Sequence, residues 1–193
     1  MNKREFFGVA AVAGAAPLLT HAAPVAPAAG PALLTITGAI SRPNRGPLDP
    51  ALDQMMHKQK IAFDRAMALD YAALTRLPAV TIRPTLEYDG KPHQLRGPLL
   101  LDVLRAAGAT LTDTTRLTLR AVDGYAVGLT VEKARRQRFI VATHLDGKPM
   151  ALGGLGPLWA VIDADRVAGL AAKAVNERFG ECPWALYHVD VQA

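Results

Sequence analysis

The chain has 193 residues, 50% of them hydrophobic and 20% charged, which is enough apolar content for one domain with a proper core and excludes a disordered chain. Its formal net charge of +5 is mildly basic, without the dense positive charge of a dedicated nucleic-acid binder. Cys182 is the single cysteine, so no disulfide can form within the chain.

The N-terminus is basic at Lys3 and Arg4, runs apolar from Phe6 to Leu19, and continues into Thr20, His21 and Ala22. That is the three-part pattern of a secretory signal peptide over residues 1–22. The apolar run is shorter than the ~20 residues that cross a bilayer, which argues against a permanent anchor. Lys3-Arg4 followed by Phe6-Phe7 also looks like a weakened twin-arginine signal, so export by the Sec or the Tat route to the periplasm is expected. Residues 23–31 read as a Pro/Ala-rich tether and 32–193 as one domain.

In that domain, Ala32 to Ile40 is rich in β-branched residues and predicts a strand. A Pro-rich loop follows. From Ala51 to Asp64 no clean period exists, although the second half has some strand character. Residues 69–78 predict a short helix with Asp70 as N-cap and Pro78 as the stop. Residues 79–90 predict a strand ending at the turn dipeptide Asp89-Gly90. The best helix pattern is at 97–109, with Leu100, Val103, Leu104 and Ala107 on one face and Gly108 at its end. Residues 116–130 read as two strands around Asp123-Gly124-Tyr125. A short basic helix (131–137), a strand running into a turn (138–147) and a strand at 157–163 come next. Residues 165–180 read as a helix, and 184–192 alternate as a terminal strand. The fold class is α+β, a single domain with a mixed, barrel-like sheet core and short flanking helices.

Three stretches carry a family resemblance: "LRGPLLLDVLRAAGA" (95–109), "AVDGYAVGLTVEKARRQRFIVATHLDGKPM" (121–150) and "LGPLWAVID" (155–163). In order and spacing they resemble the molybdopterin-binding domain of the sulfite oxidase superfamily. The resemblance implies a pterin site framed in part by the Gly-rich turns of 145–159. Molybdenum enzymes of that superfamily hold the metal through a cysteine thiolate, a soft and strongly donating ligand, in the loop after the strand that here is 79–90. This chain has Arg83, Thr85, Glu87 and Tyr88 there and no cysteine. Cys182 lies far along the chain and reads as a buried small residue beside the last strand. Short, cysteine-less, exported members of the fold resemble periplasmic pterin-binding proteins. That likeness implies a metal-free pterin as cofactor and, as partner, the periplasmic domain of an inner-membrane sensor handling cyclic-di-GMP. The chain departs from many of those relatives by having Glu87 where they have a Trp, and Leu155 where they often have a Lys.

A pterin presents a donor edge like that of guanine, which a carboxylate meets with two hydrogen bonds, and acceptors that suit an Arg or a backbone N–H. Its flat ring favours an aromatic face. Glu87 and Asp123 are the candidate carboxylates, Arg83 the cation, and Tyr125 and Trp159 the aromatics, with Thr85 between the first two on one predicted strand face. His144 and Gly156 complete the set, at the edge of the Asp-Gly turn and in the Gly-Pro-Leu-Trp loop. Each has a plainer alternative: Asp123 as a turn residue, Trp159 as a core residue, Arg83, Thr85 and Glu87 as a solvent-facing row. The histidines lack metal-ligand spacing, and Ser41, the only serine, lies in no nucleophile motif. "EKARRQR" (132–138) reads as a solvated helix face, a phosphate grip or a docking face. Three functions stay open: a non-catalytic pterin-binding protein, a molybdopterin-dependent oxidoreductase, and an interaction module that has lost its ligand.

Overall fold

The computed structural model describes residues 30–192, so the expected export leader (1–22) and almost all of the expected tether lie outside the described residues. The first part of the domain runs β1 (Leu34–Gly38), α1 (Gln54–Lys58), β2 (Met67–Leu69), α2 (Tyr71–Arg76), β3 (Ala79–Ile82), β4 (Leu95–Pro98) and α3 (Leu100–Ala106). It continues with β5 (Arg116–Ala121), β6 (Ala126–Thr130), α4 (Val131–Arg136), β7 (Ile140–Ala142), β8 (His144–Leu145) and β9 (Lys148–Pro149). The last elements are β10 (Trp159–Val161), α5 (Ala168–Ala171) between two single 3-10 turns, and β11 (Leu186–Gln192). No helix among the described residues is long and apolar enough to cross a membrane.

The largest sheet has the order β2-β1-β11-β5-β6. Its central strand is the last in sequence: β11 lies parallel to β1 and antiparallel to β5. A central strand is covered on both faces, and Leu186, Tyr187, His188, Val189 and Val191 are accordingly all buried. On β5 the buried Leu117, Leu119 and Ala121 alternate with Arg116, Thr118 and Arg120, the period-2 pattern of a strand with one core face. β5 and β6 close into a hairpin over Asp123-Gly124, where Gly124 takes φ +93°, a conformation open to a residue without Cβ.

α3 packs as its periodicity requires, with Leu100, Val103, Leu104 and Ala107 fully buried. Each large apolar side chain so buried contributes about 1.5–3 kcal/mol. Side-chain caps start two other helices: Asp70 accepts from Ala73 N–H at 2.7 Å, and Thr130 Oγ1 from Lys133 N–H at 3.2 Å. Such caps are worth about 1 kcal/mol each.

Four expectations need correction or completion. The core is not barrel-like: β2 and β6 are separate edges of an open sheet, and β3-β4-β8-β9 and β10-β7 form two further sheets. The strand expected over 79–90 stops at Ile82, two residues before Pro84, whose missing N–H cannot extend a ladder. The unclear stretch 51–64 holds the five-residue α1, and its second half forms no strand. The helix expected over 165–180 survives only as α5. Arg178 donates to the carbonyls of Ala171 (3.1 Å) and Lys173 (2.9 Å), groups a continuous helix would spend on its own N–H donors.

One buried polar cluster crosses the large sheet. Thr37 Oγ1 donates to Asp190 Oδ1 at 2.9 Å and sits 3.0 Å from His188 Nε2. With its proton given to Asp190, Thr37 accepts from His188, so the neutral ring carries its proton on Nε2 and leaves Nδ1 without a partner. Burial holds the His188 pKa down at about 4, against the pull of Asp190 and together with Arg120. The unfolded chain therefore binds the extra proton first as pH falls from 6.5, and the His188 contribution alone should lower stability by ~3 kcal/mol by about pH 4. Urea unfolding across that range checks this, and His188→Gln should remove most of the slope.

Candidate functional site

The hairpin turn of β5 and β6 faces two irregular segments, one following β3 and one preceding β11. Between them lies a cleft of about 310 Å³, at the small end of ligand-site volumes. Glu87 and Tyr88 come from the first segment and Asp123 and Tyr125 from the turn. Asn176, Phe179, Cys182 and Trp184 come from the stretch before β11.

Each wall is held. The segment after Ile82 is fastened to the 3-10 turn at Ala164–Arg166: Thr85 donates from both its N–H and its hydroxyl to Asp165 Oδ2, at 2.8 Å each. Arg178 donates to the other oxygen of Asp165 at 2.7 Å, so one half-buried carboxylate is filled from two sides. Further along, His93 bridges two turns. Its Nδ1 lies 2.6 Å from Asp146 Oδ2 and its Nε2 3.0 Å from Asp89 Oδ2. Hydrogen bonds to Asp146 and then Asp89 raise the His93 pKa, and the imidazole in turn lowers both carboxyls. At the hairpin, Asp123 Oδ1 accepts from Tyr125 N–H at 2.9 Å, which fixes the turn and leaves Oδ2 free of protein donors among the described residues. The Tyr125 hydroxyl donates to the Gly180 carbonyl and so spans the mouth of the cleft.

Three aromatic rings are exposed at this one place: Tyr88 at 55%, Tyr125 at 49% and Trp184 at 38%. Large rings left in water around a concave surface mark a binding site more than a structural accident. Partial burial and the adjacent Glu87 push the Tyr88 phenol up to about 12, so it stays a neutral donor at any ordinary pH. No Arg, Lys or His lines the cleft, and its two acidic side chains give it negative character. Cys182 lies at its floor, 4% exposed, where burial pushes the thiol up to about 12. Among the described residues no group of three or more His, Cys, Asp or Glu side chains is placed to hold a metal ion.

Of the residues singled out in the sequence, Glu87, Asp123 and Tyr125 come together in the cleft, and the other five lie elsewhere. Arg83 is exposed, and its backbone N–H points to Asp163 at 3.4 Å. Thr85 is committed to Asp165. His144 is half-buried on β8 between Tyr71 (3.0 Å) and Thr143 (2.8 Å). Gly156 is buried against Met150, whose carbonyl carbon lies 2.7 Å from where a Cβ would stand, so its role is close packing. Trp159 offers no ring face: it is fully buried on β10, and its indole N–H donates to the Cys182 carbonyl at 2.8 Å. The single-face row of Arg83, Thr85 and Glu87 does not exist because the strand that would align them has ended. Sequence reasoning missed Tyr88, Asn176 and Trp184. The "CPW" at 182–184 was the one signal, an aromatic after a proline where a strand has not yet begun.

No family model matches the chain, and no curated protein does. Among solved structures, it superposes on the sulfane dehydrogenase SoxCD from Paracoccus pantotrophus with a TM-score of 0.52 at 12% identity. The two share a fold. The match covers 82% of this chain and 37% of that one, so the chain spans well under half of its structural neighbour. This supports a distant relation to the sulfite oxidase-like fold expected from the sequence.

The clamp around His93 gives this region a pH dependence. His93 has a raised folded pKa, so its contribution is complete below pH 6.5 and is lost as pH rises through the folded value. Asp89 and Asp146 have lowered values, so theirs holds above ordinary carboxyl pKa values and is lost as pH falls through the folded ones. Hydrogen exchange of amides 85–93, corrected for intrinsic rates, should be slowest near pH 5–6 and faster above neutrality. In His93→Ala that dependence should vanish, with exchange fast throughout; an unchanged pH profile would contradict the clamp.

Proposed function

We propose that the chain is a non-catalytic pterin-binding protein, with Glu87, Asp123, Tyr125, Tyr88 and Trp184 as the ligand contacts. One observation carries the reading: two carboxylates and three exposed aromatic rings meet in a single cleft the size of a small heterocycle. A carboxylate matches the donor edge of the pterin with two hydrogen bonds, and the rings supply stacking or offset contact.

The ring of a molybdopterin fits this donor set, but its phosphate does not. A phosphate calls for Arg, Lys or a run of backbone N–H groups, and the lining has two carboxylates and no cation. A metal-free, unphosphorylated pterin suits the cleft better. The expected export and the sensor partner implied by the family resemblance give such binding a use, in which the loaded protein reports the pterin to a membrane signalling protein.

A second reading, a molybdopterin-dependent oxidoreductase, draws on the place of Cys182 at the cleft floor. Against it stand the burial of the thiol, which disfavours the thiolate, and the flanking carboxylates Glu181 and Glu87, which oppose it further.

Titration of the full chain with 6-hydroxymethylpterin, followed by the change in tryptophan fluorescence, tests the proposal. Glu87→Ala and Asp123→Ala should each weaken binding by about tenfold or more, the scale of a lost charged hydrogen bond. Arg83→Ala, outside the cleft, should leave affinity unchanged. Wild-type affinity in both carboxylate variants, or loss only in the Arg83 variant, would overturn this assignment.

A further inference from the structure

The segment after Asp165 carries apolar residues at helical spacing but buries them only in part, with Val167 and Leu170 packed on one side against the main core. No residue of α5 is buried, and Ala168 and Gly169 are exposed. Val167 and Leu170 remain half-buried and form the floor of a groove of about 510 Å³, on residues wholly different from those of the cleft. The rim is Arg136 and Gln137 at the end of α4, with Arg166 and Lys173 facing from the other side. The lining thus has three cations and no carboxylate.

These cations are available. Lys173 makes no ion pair among the described residues. Arg166, with its side chain 85% exposed, reaches Asp163 only at 3.4 Å. Arg136 pairs with Glu132 on its own helix, an exposed contact of the kind worth less than about 1 kcal/mol and readily exchanged for another carboxylate. Arg138, exposed, extends the positive surface beside it, while the neighbouring Arg135 is paired with Asp113. The Gln137 side-chain oxygen is itself buried and has no hydrogen-bond partner.

We propose that this groove docks an acidic peptide segment of a partner protein. Its apolar side chains would lie on Val167 and Leu170, and its carboxylates on Arg166, Lys173 and Arg136. An extended apolar floor with cations along the rim suits a chain of alternating apolar and acidic residues. A bare phosphate would instead need donors converging on one point. The inference stands whether or not the cleft takes a pterin.

The test uses the full chain and a rhodamine-labelled twelve-residue peptide of alternating Glu or Asp with Leu or Val. A Lys-for-acid peptide of the same length is the control. Anisotropy should show saturable binding of the acidic peptide only, weakening as salt rises. The Arg166→Glu/Lys173→Glu double variant should lose at least tenfold in affinity while keeping the wild-type melting temperature. Leu170→Asp should weaken binding separately, through the floor. Absence of binding, or equal binding to the double variant, would overturn the proposal. So would tight capture of pyrophosphate or of vesicles containing phosphatidylglycerol with no binding of the peptide.

Discussion

The cleft exists because the chain from Cys182 to Ala185 is held from three sides before it enters the central strand. The buried Trp159 indole donates to the Cys182 carbonyl at 2.8 Å, and Ala160 N–H donates to the Pro183 carbonyl at 3.1 Å, tying the segment to β10. Val122 N–H donates to the Ala185 carbonyl at 3.1 Å, tying it to the end of β5, while Ala185 N–H donates to Leu155 at 3.2 Å. Ala185 adopts φ +47°, a left-handed conformation that costs about 1–2 kcal/mol for a residue with a Cβ. These hydrogen bonds and the buried β11 that follows offset the strain. The outcome is a fixed wall that turns Trp184 outward and Cys182 inward.

The opposite wall depends on polar ties. After Pro84 the pairing shrinks to an isolated bridge between Thr85 and Pro92, and the segment carrying Glu87 and Tyr88 is held by the buried Leu86, by Thr85 on Asp165 and by the paired turns around His93. The two walls therefore differ in physical character. One is held by packing and backbone hydrogen bonds in the interior; the other adds to its buried Leu86 and short backbone pairing a set of charged ties near the surface that answer to pH and salt. A ligand would meet pre-set aromatic rings and carboxylates, which lowers the ordering cost of binding. It would also couple to a loop whose attachment is titratable.

Much of the scaffold was legible in the chain. The face of α3, the Asp70 cap, the Asp123-Gly124 hairpin and the terminal strand all follow from local periodicity and turn chemistry, which tertiary packing here reinforces. The site was legible in part. Glu87, Asp123 and Tyr125, chosen for what a pterin ring would need, lie together in one cleft, but Thr85 is spent on an aspartate 80 positions away and Trp159 on the core. Pairings of that range leave no local mark. Residues 165–180 depart from the expected helix for a more local reason: the side chain of Arg178 folds back on the carbonyls of Ala171 and Lys173, which a continuous helix would use itself.

A fold shared with a far larger redox enzyme at 12% identity says nothing about chemistry by itself. On our reading, this scaffold carries a ring-binding cleft without the means to seat a phosphate or to offer a thiolate. The most direct measurement takes full-length protein exported to the periplasm of a host that makes molybdopterin, releases bound small molecules by denaturation, and quantifies pterin fluorescence and molybdenum per chain in the same sample. Pterin approaching one per chain with molybdenum far below that level is the expected result. Molybdenum near one per chain, or a chain free of any pterin, would contradict it.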